Sequence, residues 1–252
     1  MSAIFIADAH LRRPSDENYR RLLQFLDSLR GGNHTLYILG DLFEFWIGFD
    51  RPPSADYEPV IERLAALRQE GTPIIYLEGN HDFFLHRFFG KHLGCTIHPG
   101  PLEISLNGQR TLLCHGDQAN GKDLGYRLLR ATLRSTVIRL LTKFAPLSLV
   151  CWVARTMNAG SKGQHANRRG RVDYGAIVRS YAAEQFARGL DIVIAGHFHT
   201  PILEESAVDG RRCLLLSLGD WITHFTYGEW RDNELLLRTF APPEEQPQAP
   251  PL

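Results

Sequence analysis

No apolar run in this sequence approaches the ~20 residues of a membrane-spanning helix. No basic segment followed by an apolar stretch opens the chain; it enters the strand-like run IFIA at once, so no secretory leader is expected. Cysteine is scarce, at 95, 114, 151 and 213, without the spacing of a disulfide framework or a zinc ligand set. Reduced, mostly buried thiols of a cytoplasmic protein are expected. There is no internal repeat and no net charge. The charge missing overall is present locally. Residues 122–171 carry eleven Lys and Arg against one acid, Asp123, a segment of +10 on a remainder of −10. A basic block on an acidic body suits an anionic partner (phosphate, nucleic acid or a membrane surface), or is a solvated helical face. What is plentiful is apolar residues, 44% of the chain, enough for one substantial core.

Six runs rich in Ile, Leu and Val read as buried strands: 3–7, 35–39, 73–77, 111–114, 190–195 and 213–218. Continuous apolar runs of this length suit sheets covered on both faces. Helical patterns separate the early ones. Residues 16–30 start after Ser15 and stop at Gly31-Gly32; 55–70 end at Gly71 with Pro73 beyond; 83–93 end at Gly94. Asn107-Gly108 marks a hairpin within 104–113. The alternation predicts an α/β domain with mixed strand pairing. It breaks at 123–158, which reads as two helices separated near Pro146. On a helical wheel Leu129, Leu133, Val137, Leu140 and Phe144 share one arc, flanked by Arg127, Arg130 and Arg134 on one side and Arg139 and Lys143 on the other. Leu124, Leu128 and Ile138 form a second apolar strip. Such a helix has two things to bury against: the body, and an apolar ligand, a membrane or a partner. Residues 159–172 read as a loop, and the Pro-rich 242–252 as a disordered tail.

Chemistry-bearing residues follow the strands. ADAH (7–10), GDLFE (40–44), GNHD (79–82), CHGD (114–117) and GHFH (196–199) each sit at a predicted strand's C-terminal end, the edge where ligands bind in α/β sheets. They supply Asp8, His10, Asp41, Asn80, His115, His197 and His199, oxygen and nitrogen donors without sulfur. That mixture suits Mn²⁺, Fe²⁺, Zn²⁺ or Co²⁺. Seven ligands exceed one tetrahedral ion and suit two ions sharing a carboxylate. Taken singly, an Asp-x-His is a common cap, a Gly-Asp after a strand a common turn. Asp82 reads either as an orienting acid for an imidazole or as the N-cap of the helix expected at 83–93.

This series, D8-x-H10, G40-D41-x-x-E44, G79-N80-H81-D82, H115-G116-D117 and G196-H197-x-H199, resembles the calcineurin-like metallophosphoesterases. The resemblance implies a four-layer αββα sandwich with a dinuclear centre. One ion would be held by Asp8, His10, Asp41 and His199, the other by Asp41, Asn80, His115 and His197. His81, Asp41 and Asn80 would be catalytic, with His81 beside the phosphoryl group, neutralising its charge or donating a proton to the leaving oxygen.

FIADAHL (5–11), LYILGDLFEFWIG (36–48), DLGYRLLR (123–130), NAGSK (158–162) and GHFHTP (196–201) narrow the resemblance to the UDP-2,3-diacylglucosamine pyrophosphatase family of lipid A synthesis. This implies cleavage of UDP-diacylglucosamine to UMP and 2,3-diacylglucosamine 1-phosphate. It also implies Mn²⁺ as cofactor, a helical cap inserted at about 123–165 in a domain of 1–241, and a cytoplasmic protein peripheral at the inner membrane. Asp123, Tyr126, Arg130, Asn158, Ser161 and Lys162 match positions that face substrate in that family, as does His81, where the family usually has Arg. A basic, doubly amphipathic cap can hold a pyrophosphate and acyl chains and rest at a membrane interface. A related hydrolase of another lipid-linked or nucleotide phosphodiester, or a nuclease, is the alternative. Nucleic acid is not expected as a partner, because the cap offers only Tyr126, Phe144 and Trp152 for stacking.

Overall fold

The structure is a computed structural model that describes residues 2–119, 124–138, 140 and 172–242; of residues 124, 126, 127 and 129 it describes the backbone. Two sheets face each other. The first has the order β13 (Glu234–Thr239), β12 (Thr226–Arg231), β1 (Ser2–Ile6), β2 (His34–Ile38), β4 (Ile74–Leu77), β6 (Thr96–His98). The second has the order β10 (Pro201–Val208), β11 (Arg211–Leu218), β9 (Ile192–Ala195), β8 (Gln109–Cys114), β7 (Leu102–Leu106). β1, β2, β4 and β6 run parallel, as do β8, β9 and β11, while β7, β10, β12 and β13 pair antiparallel.

Period-two alternation builds three cores from these strands. Phe5, Leu113, Ile192, Ile194, Leu214 and Leu216 fill the space between the sheets. Ile4, Ile6, Leu36, Ile38, Ile74 and Tyr76 point the other way, onto α1 (Glu17–Ser28) and α2 (Glu58–Gln69). α1 buries Tyr19, Leu22, Phe25 and Leu26, and α2 buries Val60, Leu64 and Leu67, each a stripe of helical spacing. Leu112, Cys114, Val193, Ala195 and Cys213 pack on α4 (Tyr174–Ala187) through Val178, Ala182 and Phe186. The layers are helix, sheet, sheet, helix. Both faces of each sheet are covered, which is why the strands read as unbroken apolar runs.

All six predicted strands form, with ends shifted by one or two residues. Not legible as such were α4, the hairpin β12–β13 and the strands β6 and β10. The helix expected over 83–93 does not form. Asp82–Phe83 is a short strand, β5, parallel to β3 (Trp46–Ile47), and Leu85–Arg87 is a single 3₁₀ turn. Backbone bonds from Trp46 to His81 and from Gly48 to Phe83 hold the segment extended, and Phe84 turns it at φ 58°. α3 (Leu124–Leu133) opens the insertion after the HGD loop. The second half of the predicted cap, the loop at 159–171 and the tail beyond 242 lie outside the described residues. Cys95, Cys114 and Cys213 are buried free thiols, and no described helix is long and apolar enough to cross a membrane.

Candidate active site

Each polar cluster leaves the C-terminal end of a parallel strand: Asp8 and His10 after β1, Asp41 after β2, Asn80 after β4, His115 after β8, His197 and His199 after β9. The two sheets present these ends side by side, so residues 189 apart in sequence touch: the His197 N–H donates to Asp8 Oδ2 at 2.7 Å. Asp8, His10, Asp41, His197 and His199 all adopt φ between 46° and 70°. Left-handed backbone costs a non-glycine residue on the order of 1 kcal/mol. Five such residues in one cluster are held by backbone bonds, among them Asp8 N–H to Gly40 O and His10 N–H to Asp41 O. Gly79 and Gly196 permit the close approach. A Cβ on Gly79 would lie 2.0 Å from Asp41 Oδ1, and one on Gly196 2.7 Å from Asp8 Oδ2.

Asp41 is central. Its Oδ1 accepts the His81 N–H at 2.8 Å; its Oδ2 faces His10 Nε2 at 3.8 Å on one side and His115 Nε2 at 3.4 Å on the other. On the first side Asp8 Oδ1 lies 3.8 Å from His10 Nε2 and 3.5 Å from His199 Nε2. On the second, His115 Nε2 meets Asn80 Oδ1 at 2.9 Å, and the His197 ring lies 5.1 Å from the His115 ring. His115 Nδ1 donates to Leu39 O at 2.8 Å, which turns Nε2 inward.

These donors fit divalent cations. Asp8 Oδ1 and His10 Nε2 are buried without a hydrogen-bond partner, a cost of several kcal/mol in water-free surroundings that a cation removes. Asp8-His10-His199 and Asp8-Asp41-His115 are each close enough to share an ion. The electrostatics respond to the crowding. Burial pushes the Asp8 carboxyl up to about 6, although His199 and His115 pull against it. Burial also acts to raise Asp41, but His115, His81 and His10 outweigh it and hold that carboxyl well below its usual range. Burial acts to lower His115, but Asp41 beside it wins and lifts the imidazole to about 10. His197, with burial and His115 both against its charged form, falls to about 3.

His81 sits at the rim. Its Nδ1 lies 3.0 Å from Glu44 O, and since a carbonyl only accepts, Nδ1 carries the proton and Nε2 is the acceptor nitrogen of the neutral ring. Its ring meets His10 edge-on, centroids 4.7 Å apart. Glu44 is paired with Arg12 at 2.9 Å and lies 3.9 Å from His10 Nδ1.

Asp82 does neither thing expected of it. It caps no helix and orients no imidazole. It accepts the N–H groups of Asp41 (2.9 Å), Leu42 (2.8 Å) and Gly79 (3.0 Å) and the Tyr76 hydroxyl, tying two site loops together. Burial, with Asp41 adding to it, raises its carboxyl to about 7. Asp220 went unnoticed in the sequence. It follows β11 and accepts from Ile222, Thr223 and His224. It also lies 3.5 Å from His199 Nδ1, so His199 Nε2 is turned toward Asp8. The neighbouring Trp221 N–H holds the Asp8 carbonyl at 3.1 Å. The signal was present: Gly219-Asp220 directly follows the predicted strand 213–218, as the other five polar clusters follow theirs.

Of the expected substrate-facing residues, Asp123, Asn158, Ser161, Lys162 and the side chain of Tyr126 lie outside the described residues. Arg130 is placed beside the site, with Nε paired to Asp117 Oδ2.

The profile of the calcineurin-like phosphoesterases matches residues 1–201. A protein of Aeromonas salmonicida named UDP-2,3-diacylglucosamine hydrolase is 36% identical over 223 residues, covering 88% of this chain and 86% of its own. One of the same name from Stenotrophomonas maltophilia is 35% identical over 228 residues, covering 88% and 91%. Among solved structures an archaeal phosphodiesterase aligns over 95% of this chain and 100% of its own, with TM-score 0.46 and 13% identity. The profile spans most of the chain, and the relatives align along nearly all of it. The chain belongs to the calcineurin-like phosphoesterase family, hydrolases of phosphoester and pyrophosphate bonds that work with divalent metal ions.

Proposed function

We propose that this protein hydrolyses the pyrophosphate of UDP-2,3-diacylglucosamine, releasing UMP and 2,3-diacylglucosamine 1-phosphate. The observation that carries the reaction type is Asp41 Oδ2, which faces ligand groups on both sides. Asp8, His10, Asp41 and His199 would hold one ion and Asp41, Asn80, His115 and His197 the other, with Mn²⁺ the expected metal. Bound there, two divalent ions supply an activated water and neutralise phosphoryl charge. The chain's own residues do the rest. Leu39 O and Asp220 fix the tautomers and headings of His115 and His199. Asp82 fixes the backbone of Asp41 relative to Gly79. With Nδ1 engaged by Glu44 O, His81 protonated at Nε2 neutralises a phosphoryl oxygen or donates to the leaving oxygen.

The substrate rests on the relatives' names and on the cap. Leu128, Val137 and Leu140 of the insertion are 71%, 65% and 48% exposed, an apolar surface suited to acyl chains and to peripheral contact with the inner membrane. Arg130 and Arg134 are paired with Asp117 and Glu78, so two cations of the basic block are engaged with the body, which disfavours a nucleic-acid groove. The test is hydrolysis of UDP-2,3-diacylglucosamine by purified protein with Mn²⁺, following UMP. Release of UMP supports the reading. Turnover of a chromogenic phosphodiester without UMP release moves the substrate to another lipid-linked or nucleotide phosphodiester.

A further inference from the structure

Arg134 follows the last turn of α3, its N–H bonded to Arg130 O at 3.0 Å. Its side chain is 13% exposed and reaches out of the insertion onto the body. Nη1 donates to Glu78 Oε2 at 3.2 Å and to Pro99 O at 2.5 Å. Nη2 donates to Gly79 O at 2.7 Å and meets Glu78 O at 3.4 Å. The guanidinium carbon stands 5.5 Å over the Phe83 ring. Glu78 is itself buried, its Oε1 accepting from Leu85 N–H at 3.0 Å.

Three of these four polar contacts fall on Glu78 and Gly79, the two residues that precede Asn80. That loop has little room: Gly79 rests against Asp41, and Asp82 ties Gly79 N–H to Asp41 N–H. A shift of the carbonyls at 78 and 79 therefore moves Asn80 Oδ1 relative to His115 Nε2, now 2.9 Å apart, and moves His81 relative to Asp41. A planar fork spanning a carboxylate and three carbonyls is a task for arginine; an ammonium on a flexible stem cannot reach all four together. One turn earlier, Arg130 also reaches the body, pairing with Asp117, two residues past His115.

We propose that Arg134 is a positioning residue: through it the inserted helix sets the placement of Asn80 and His81, so the arginine serves the reaction centre without touching substrate. This rests on the proposed roles of Asn80 as metal ligand and His81 as substrate-side group.

The test uses the full chain loaded with Mn²⁺ and a small chromogenic phosphodiester, bis(p-nitrophenyl) phosphate, so that lipid binding does not enter. Arg134→Ala is expected to lower kcat by about 10–100-fold, with KM within about twofold, and to weaken one of two Mn²⁺ binding events by a similar factor in titration calorimetry. Added guanidinium ion should restore part of kcat in Arg134→Ala and none in Asn80→Ala. Arg134→Lys, which keeps charge and bulk, should fall between and serves if the alanine variant does not fold. Unchanged kcat and Mn²⁺ affinity in a folded variant would overturn the inference. So would a raised KM at constant kcat, which makes Arg134 a substrate contact. A wild-type protein without turnover of any phosphodiester instead removes the functional reading, and Mn²⁺ affinity alone then decides the role of Arg134.

Discussion

Asp8, His10 and His199 stand on one side of Asp41, and Asn80, His115 and His197 on the other, braced from different parts of the chain. The first group leans on the body. Trp221 N–H and Asp220, both in the turn after β11, hold the Asp8 carbonyl and His199, and the His197 N–H holds the Asp8 carboxylate. The second group leans on Leu39 O, on Asp82 and, through Arg130 and Arg134, on the insertion. The first group leaves Asp8 Oδ1 and His10 Nε2 without partners, whereas in the second His115 and Asn80 bond each other. One half is thus wired into the scaffold common to both sheets, and the other shares its supports with the element that carries the cap.

Removing the shared group should give the largest effect. Asp41→Ala is expected to abolish turnover and both metal-binding events while circular dichroism stays native-like; a variant that still binds one Mn²⁺ at full affinity would show that Asp41 does not bridge. Gly79→Ala comes next, because its Cβ would collide with Asp41 Oδ1. It should cost nearly as much activity as losing Asp41, and wild-type turnover would mean that the loop relaxes freely. Asp220→Asn should separate the halves, weakening one ion about 10–100-fold and leaving the other unchanged. Equal weakening of both in calorimetry would merge the halves into one unit.

The smallest effect concerns pH. In EDTA-treated protein His115 is lifted to about 10 from 6.5, burial opposing and Asp41 prevailing. A raised folded-state pKa means stability present below pH 6.5 and lost as pH climbs through about 10. The melting temperature of the EDTA-treated protein should therefore decline across that window. Mn²⁺ should abolish this dependence, since ligation needs the neutral ring. Identical pH profiles with and without Mn²⁺ would place His115 outside the metal site.

Sequence alone determined the strand ends and what sits on them. Unbroken apolar runs can be satisfied only in a sheet covered on both faces, and polar Asp, His and Asn directly after them have nowhere to go but the open edge. Hence Asp8, His10, Asp41, Asn80, His115, His197 and His199 could be named before any coordinate. Tertiary structure decided the supports. The apolar run FFLHRFF has helical spacing, yet strand pairing with Trp46–Ile47 and the aromatic core around Phe43, Trp46 and Phe89 draw it into an extended turn. Asp82 acts on Asp41 and Leu42, 41 and 40 residues away, Arg134 on Glu78, Gly79 and Pro99, 56, 55 and 35 residues away, and Asp220 on His199, 21 residues away. Such contacts leave no periodicity in the chain, because hydrogen-bond partners are fixed by where the sheets meet and not by spacing along the sequence.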